Sequence, residues 1–128
     1  MVPEHIPDHD EVYRKCHYSQ WDFDNNEPEA AAFGFDQRDG TISTFWTKYI
    51  TAGEMLRAFF NPRTSGALSL LAGRIREGGI LDVLHTPNQP QGTIPGHASI
   101  TMKPGFNEVK ARAMLVSRCG VAIPVPRR

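Results

Sequence analysis

The sequence predicts an α+β fold: a single compact domain with a small mixed or antiparallel sheet and two or three helices. Three observations point to it. Short runs rich in β-branched and aromatic residues recur along the chain, as in TISTFWTKY at residues 41–49, and such residues suit a pleated, half-buried surface. A capping box, Thr51-Ala-Gly-Glu54, opens a segment with apolar residues at helical spacing. The connections are irregular and rich in turn residues, without the strict strand–helix alternation of a parallel sheet. With 128 residues, 40% hydrophobic and 22% charged, the chain has the size and balance of one domain around one core.

Residues 1–10 (MVPEHIPDHD) are polar and carry Pro3 and Pro7, which reads as a flexible N-terminal arm. The domain then covers residues 11–128. Residues 11–18 alternate as a strand, with Val12, Arg14, Cys16 and Tyr18 on one face and Tyr13, Lys15 and His17 on the other; a helix is the alternative. Residues 22–29 form a polar loop. AAAFGF at 30–35 is small and apolar, and DQRDG at 36–40 is a turn. A strand is expected near residues 41–47. After the capping box, Met55, Leu56, Phe59 and Phe60 repeat at helical spacing and are assigned to the core, and Pro62 stops the helix.

Further along, ALSLL at 67–71 reads as a buried strand, and AGRIRE at 72–77 as a short helix closed by Gly78-Gly79. ILDVL at 80–84 is a strand. A loop at 86–96, with three prolines and two glycines, leads into a strand at 97–102. Asn107 caps a helix over 108–118 whose apolar positions, Val109 among them, are assigned to the core. The last residues, VAIPVPRR, are extended because Pro124 and Pro126 forbid a helix. The sheet is expected to be covered on one face.

Charge and composition narrow the function. Lys and Arg total 14, as do Asp and Glu, so no global field recruits nucleic acid or an anionic membrane. The C-terminal segment from Lys103 to Arg128 is a local basic candidate, but nucleic acid is not the expected partner. No apolar run is long enough to span a bilayer, and the start of the chain lacks the pattern of a signal peptide. Cys16 and Cys119 are therefore expected as free thiols in a cytoplasmic protein.

The long loop at 86–96 directs attention to His97 and Ser99. On a strand the two share a face, so they could serve as base and nucleophile in acyl transfer or orient a substrate. The bland alternative is that His97 hydrogen-bonds the loop before it. Arg14, His17 and Trp21 combine cationic, titratable and aromatic groups suited to an anionic or planar ligand, and Ser43 lies on the 41–47 strand. His5, Asp8, His9 and Asp10 are metal-ligand types, yet Pro7 spoils their helical spacing, and neither a metal nor a cofactor is expected. No glycine-rich phosphate loop is present in the sequence.

Two resemblances bear on this pattern. An Arg or His on an early strand followed by the Ser43-Thr44 pair is similar to ADP-ribosyltransferases, enzymes that need a catalytic Glu, commonly in a Glu/Gln-x-Glu pattern; here that pattern occurs as Glu27-Pro28-Glu29, before the Ser-Thr strand. Across most of the chain, Val12-Tyr13-Arg14 with His17 and Trp21, Ala32-Phe33, Ile42-Ser43, Thr51 with Glu54, Ala72-Gly73 and Gly96-His97-Ala98-Ser99-Ile100 resemble a scattered family of small bacterial proteins. That resemblance implies a compact bacterial accessory protein and supplies no catalytic residues.

Two functions are thus expected. One is a small cytoplasmic accessory protein that binds another macromolecule, a protein partner first, in an immunity-like or toxin–antitoxin-associated role. The other is a small enzyme, ADP-ribosyltransferase-like or a hydrolase, acting on a nucleotide or phosphate-bearing substrate through His97 and Ser99 with Arg14 or His17. A pocket joining residues 14–21, 41–46 and 97–99 would favour the enzyme. An exposed apolar patch without such a pocket would favour the binding protein.

Overall fold

The computed structural model describes residues 1–127; Arg128, the last of the basic C-terminal residues, lies outside them. The chain runs through β1 (Glu11–His17), β2 (Trp21–Asp22), β3 (Glu27–Pro28), β4 (Ile42–Trp46), α1 (Ala52–Phe59), β5 (Ser65–Leu71) and α2 (Ala72–Arg76). It continues through β6 (Leu81–His85), β7 (Asn88–Gln89), β8 (Gly92–Thr93), β9 (His97–Met102), α3 (Glu108–Arg118) and β10 (Gly120–Ile123). Six strands form one antiparallel sheet in the order β10-β5-β1-β4-β9-β6, and two small ladders, β2-β3 and β7-β8, stand apart from it. The fold is α+β, as the sequence predicts.

Side-chain alternation divides the sheet into two faces. One face presents Val12, Ile42, Trp46, Leu68, Leu70, Val83 and Ile100, all buried against α2, α3 and the 3-10 turn Ala30–Phe33. The other face is not left open. α1 lays Ala52, Met55 and Leu56 over Phe45 and Ala67, forming a second, smaller cluster. The predicted capping box is present: Thr51 Oγ1 accepts from Glu54 N at 3.1 Å, and Glu54 Oε1 accepts from Thr51 N at 3.0 Å. α1 is eight residues long and covers only part of this face. The remainder, towards β4, β9 and β6, is polar, and there the candidate residues Ser43, His97 and Ser99 lie.

Three further sequence expectations change, besides the covering of one face only. Phe59 and Phe60 are not core residues: they are 44% and 36% exposed at the end of α1, because the helix stops where the covered part of the face stops. Val109 is exposed as well, since α3 turns Ala111 and Leu115 inward instead. Residues 1–10 are packed and not a free arm. Ile6 is 1% exposed, Arg76 donates to its carbonyl at 2.7 Å, and Glu4 N donates to His85 Nδ1 at 2.9 Å. Asp8 pairs with Arg76 and Asp10 accepts from the Trp46 indole, so both carboxylates are structural.

Gly66 shows how tightly β10 is laid on. A Cβ there would come within 2.5 Å of the Ile123 carbonyl oxygen, so only glycine lets the chain pass. Cys16 and Cys119 are free thiols, and burial pushes the Cys16 thiol up to about 11. Among the described residues no helix is long and apolar enough to cross a membrane.

Candidate functional site

The site originates in a break in the sheet. β1 follows β5 in unbroken register from Glu11 to His17, whereas its pairing with β4 is confined to Val12↔Trp46 and Tyr13↔Phe45. Beyond that point the two strands part. Arg14 fills the opening: its Nε donates to the Ala32 carbonyl at 2.9 Å and its Nη1 to the Ser43 carbonyl at 3.0 Å. The guanidinium thus replaces the missing ladder and holds the backbone of Ser43. Burial lowers its pKa, but an arginine remains charged at any working pH.

A groove of about 730 Å³ lies over this opening, lined by Arg14, Lys15, Ser43, Phe45, Phe60 and His97 among others. Its far wall is the 86–96 loop, folded into the β7-β8 ladder, with Gln89, Pro90 and Ile94 turned to the groove. The wall is fixed at its base. His85 donates from Nε2 to the Pro95 carbonyl at 2.6 Å while its Nδ1 takes the Glu4 N–H.

On the floor, His97 Nε2 lies 3.1 Å from Ser43 Oγ. The register explains this placement. β4 and β9 pair Ser43↔Ser99 and Phe45↔His97, so Ser43 and His97 are diagonal neighbours on one face, a distance that a long side chain spans. On its other side, His97 Nδ1 is 3.1 Å from the Thr86 carbonyl and 2.9 Å from Thr86 Oγ1. A carbonyl can only accept, so the proton of the neutral ring sits on Nδ1 and leaves Nε2 free to accept from the Ser43 hydroxyl. Thr86 Oγ1 continues the chain to Ser99 Oγ at 2.7 Å. Gln89 Nε2 also donates to the Thr86 carbonyl, at 2.7 Å, which anchors the group that orients His97.

The electrostatics keep this histidine neutral. Burial is the main cause that lowers its pKa, and His85 adds to the lowering; the Thr86 hydrogen bond and Asp39 oppose them. Ser43 is exposed to the groove, while His97 is only 7% exposed. A solvent-facing hydroxyl, an imidazole with its acceptor nitrogen turned to it, and a fixed acceptor behind the ring are the three parts of a nucleophile–base pair.

Of the residues that the sequence singled out, the structure gathers Arg14, Ser43 and His97 in the groove. The Ser99 hydroxyl is joined to this group through Thr86 Oγ1. His17 and Trp21 are elsewhere. His17 Nδ1 accepts from Ser19 N at 3.1 Å and caps the turn Tyr18–Gln20, while Trp21 lies with Val121 and Arg127 at a separate hollow. The sequence reading missed Thr86, Lys15, Phe45 and the aromatic pair Phe59 and Phe60. No group of three or more His, Cys, Asp or Glu side chains is placed to hold a metal among the described residues.

Arg112 pairs with Glu108, Arg118 donates to the carbonyls of Arg74 and Glu77, and Arg127 stacks on Phe23. Comparison of the chain with family models, with curated proteins and with solved structures found no match.

Proposed function

We propose that the chain is a small hydrolase in which Ser43 is the nucleophile and His97 the general base, acting on an ester bound in the groove. The single observation that carries this reading is the continuous contact from Ser43 Oγ through His97 to the Thr86 carbonyl. It supports acyl transfer because a serine hydroxyl is a weak nucleophile until an adjacent base accepts its proton. The Ser43 oxygen forms a bond to the ester carbonyl carbon as its proton passes to His97 Nε2. The C–O bond to the leaving alcohol then breaks, and His97 returns the proton to that alcohol. Water, deprotonated by the same nitrogen, cleaves the acyl-serine and restores both side chains.

The orienting group is a backbone carbonyl where a carboxylate would hold the imidazolium more firmly. A slow enzyme is therefore expected, with the Thr86 carbonyl fixing the tautomer more than stabilising charge. The cationic residues that line the groove, Arg14, Lys15 and Arg38, set a positive potential in which an oxyanion would develop. The test is turnover of a small chromogenic aryl ester by the full chain. Activity that vanishes in both Ser43→Ala and His97→Gln, with melting curves unchanged, supports the reading. Equal activity in wild type and both variants removes it.

A second reading, binding of another macromolecule, is favoured by a different observation. Val109 is 73% exposed on α3, and Phe106, 42% exposed, lines an apolar hollow with Ile80 and Met114. That surface is separate from the groove. A protein partner that binds Ser43→Ala as well as wild type, but not Val109→Glu, would support it.

A further inference from the structure

We infer that the groove takes a ligand in which an anionic group is joined to a planar apolar one, the anion lying against Arg14 and Lys15 and the planar face on Phe59 and Phe60. This rests on the groove of the proposed hydrolase and narrows its substrate to an ester that carries a phosphate or carboxylate together with an aryl-like ring.

The two cations are the first support. Arg14 uses Nε and Nη1 on neutral carbonyls, and no ion pair among the described residues includes Arg14 or Lys15. Two acids, Asp36 and Asp39, also line the groove, and neither makes an ion pair with these cations. Asp36 accepts from Arg38 N at 2.7 Å, and Asp39 accepts from Thr41 N at 3.0 Å and Thr41 Oγ1 at 2.9 Å. Two adjacent, partly buried positive charges without an ion-pair partner are costly, and an anion bound against them would offset that cost. Burial, and then Arg14, lower the pKa of Lys15, as expected of a cation that lacks its partner.

The aromatic wall is the second support and is independent of the first. Phe45, only 5% exposed, stacks on Phe59 at 4.9 Å and 23° and meets Phe60 edge-on at 6.1 Å. The two outer rings stay open to the groove. Lys15 joins the halves, because its Nζ lies 5.5 Å from the centre of the Phe60 ring. A ligand that spans both halves meets charge and ring within one side chain's reach.

The experiment titrates the full chain with phenyl phosphate, benzoate, inorganic phosphate and phenol, following backbone amide shifts. Phenyl phosphate or benzoate is expected to bind about tenfold tighter than either inorganic phosphate or phenol. The tighter of the two aryl anions identifies the anionic group as phosphate or carboxylate. Lys15→Met should weaken the aryl anion about tenfold, and Phe60→Ala should reduce it to the level of inorganic phosphate. Aryl anions that bind no tighter than phosphate and phenol, or variants that bind as wild type does, overturn the inference. None of these probes transfers an acyl group. Binding without any ester turnover would thus leave this inference standing and remove the hydrolase, whereas turnover without binding would do the reverse.

Discussion

His97 Nε2 reaches Ser43 Oγ at 3.1 Å across 54 residues of sequence, and the β4–β9 register alone brings the two together. Neither residue is near the other in any local motif. What each contributes follows from the strand it sits on: β4 presents the hydroxyl to the groove, and β9 places the imidazole beneath the loop that orients it.

The pH dependence follows from the position of His97. Burial holds its pKa below the ordinary histidine value. A base must be neutral to accept a proton, so turnover should fall in acid with a midpoint below about 6.5. Stability should respond in the same direction. Between the folded value and the ordinary one the unfolded chain binds more protons, so stability rises with pH through that window and acid destabilises the fold. A pH–rate profile beside melting curves at the same pH values checks both. An acid limb centred above the ordinary histidine value would contradict this assignment.

Thr86 offers two groups to His97, and a substitution separates them. Thr86→Val removes Oγ1, which bridges to Ser99, and keeps the carbonyl. Because the carbonyl fixes the tautomer, turnover should fall by no more than about tenfold, with roughly 1 kcal/mol of stability lost from the broken hydroxyl contacts. Loss of nearly all turnover in a folded variant would assign the orienting role to the hydroxyl instead.

The two ends of α1 should respond unequally. Met55 is fully buried, so Met55→Ala should cost about 2–5 kcal/mol. Phe59 is 44% exposed, so Phe59→Ala should cost well under the ~3–5 kcal/mol of a buried ring. Urea denaturation of both variants measures the difference, and equal costs would place Phe59 in the core.

The start of the chain should matter for stability. Ile6 is buried and Arg76 is tied to its carbonyl and to Asp8, so removal of residues 1–9 exposes an apolar site and leaves the partly buried Arg76 with only Asp82 and the Val83 carbonyl as partners. Ile6→Ala alone should cost about 2–5 kcal/mol, and the deletion should lower the melting temperature further. An unchanged melting temperature on deletion would show that these contacts contribute nothing.

Much of the fold was legible because it is written locally. Thr51 and Glu54 announce a helix start, Asn107 another, and the β-branched runs announce β4 and β9. The packing of residues 1–10 was not legible, since it rests on one apolar side chain, Ile6, in a polar segment whose partners lie some seventy residues away. The site was half legible. The loop before His97 pointed to it, and spacing of two paired it with Ser99, which does share its face. Ser43 became the closer partner only through register, which no local pattern fixes. Phe59 and Phe60 read as core by helical spacing, because spacing gives a face but not how far the sheet beneath that face is covered.

The Ser43–His97 pair is tested most directly by labelling the full chain with a serine-directed fluorophosphonate and mapping the adduct by peptide mass spectrometry. A single adduct on Ser43 is expected in the wild type, lost in His97→Gln while that variant remains folded. An unlabelled wild type, an adduct on another serine such as Ser99, or undiminished labelling in His97→Gln would contradict the assignment.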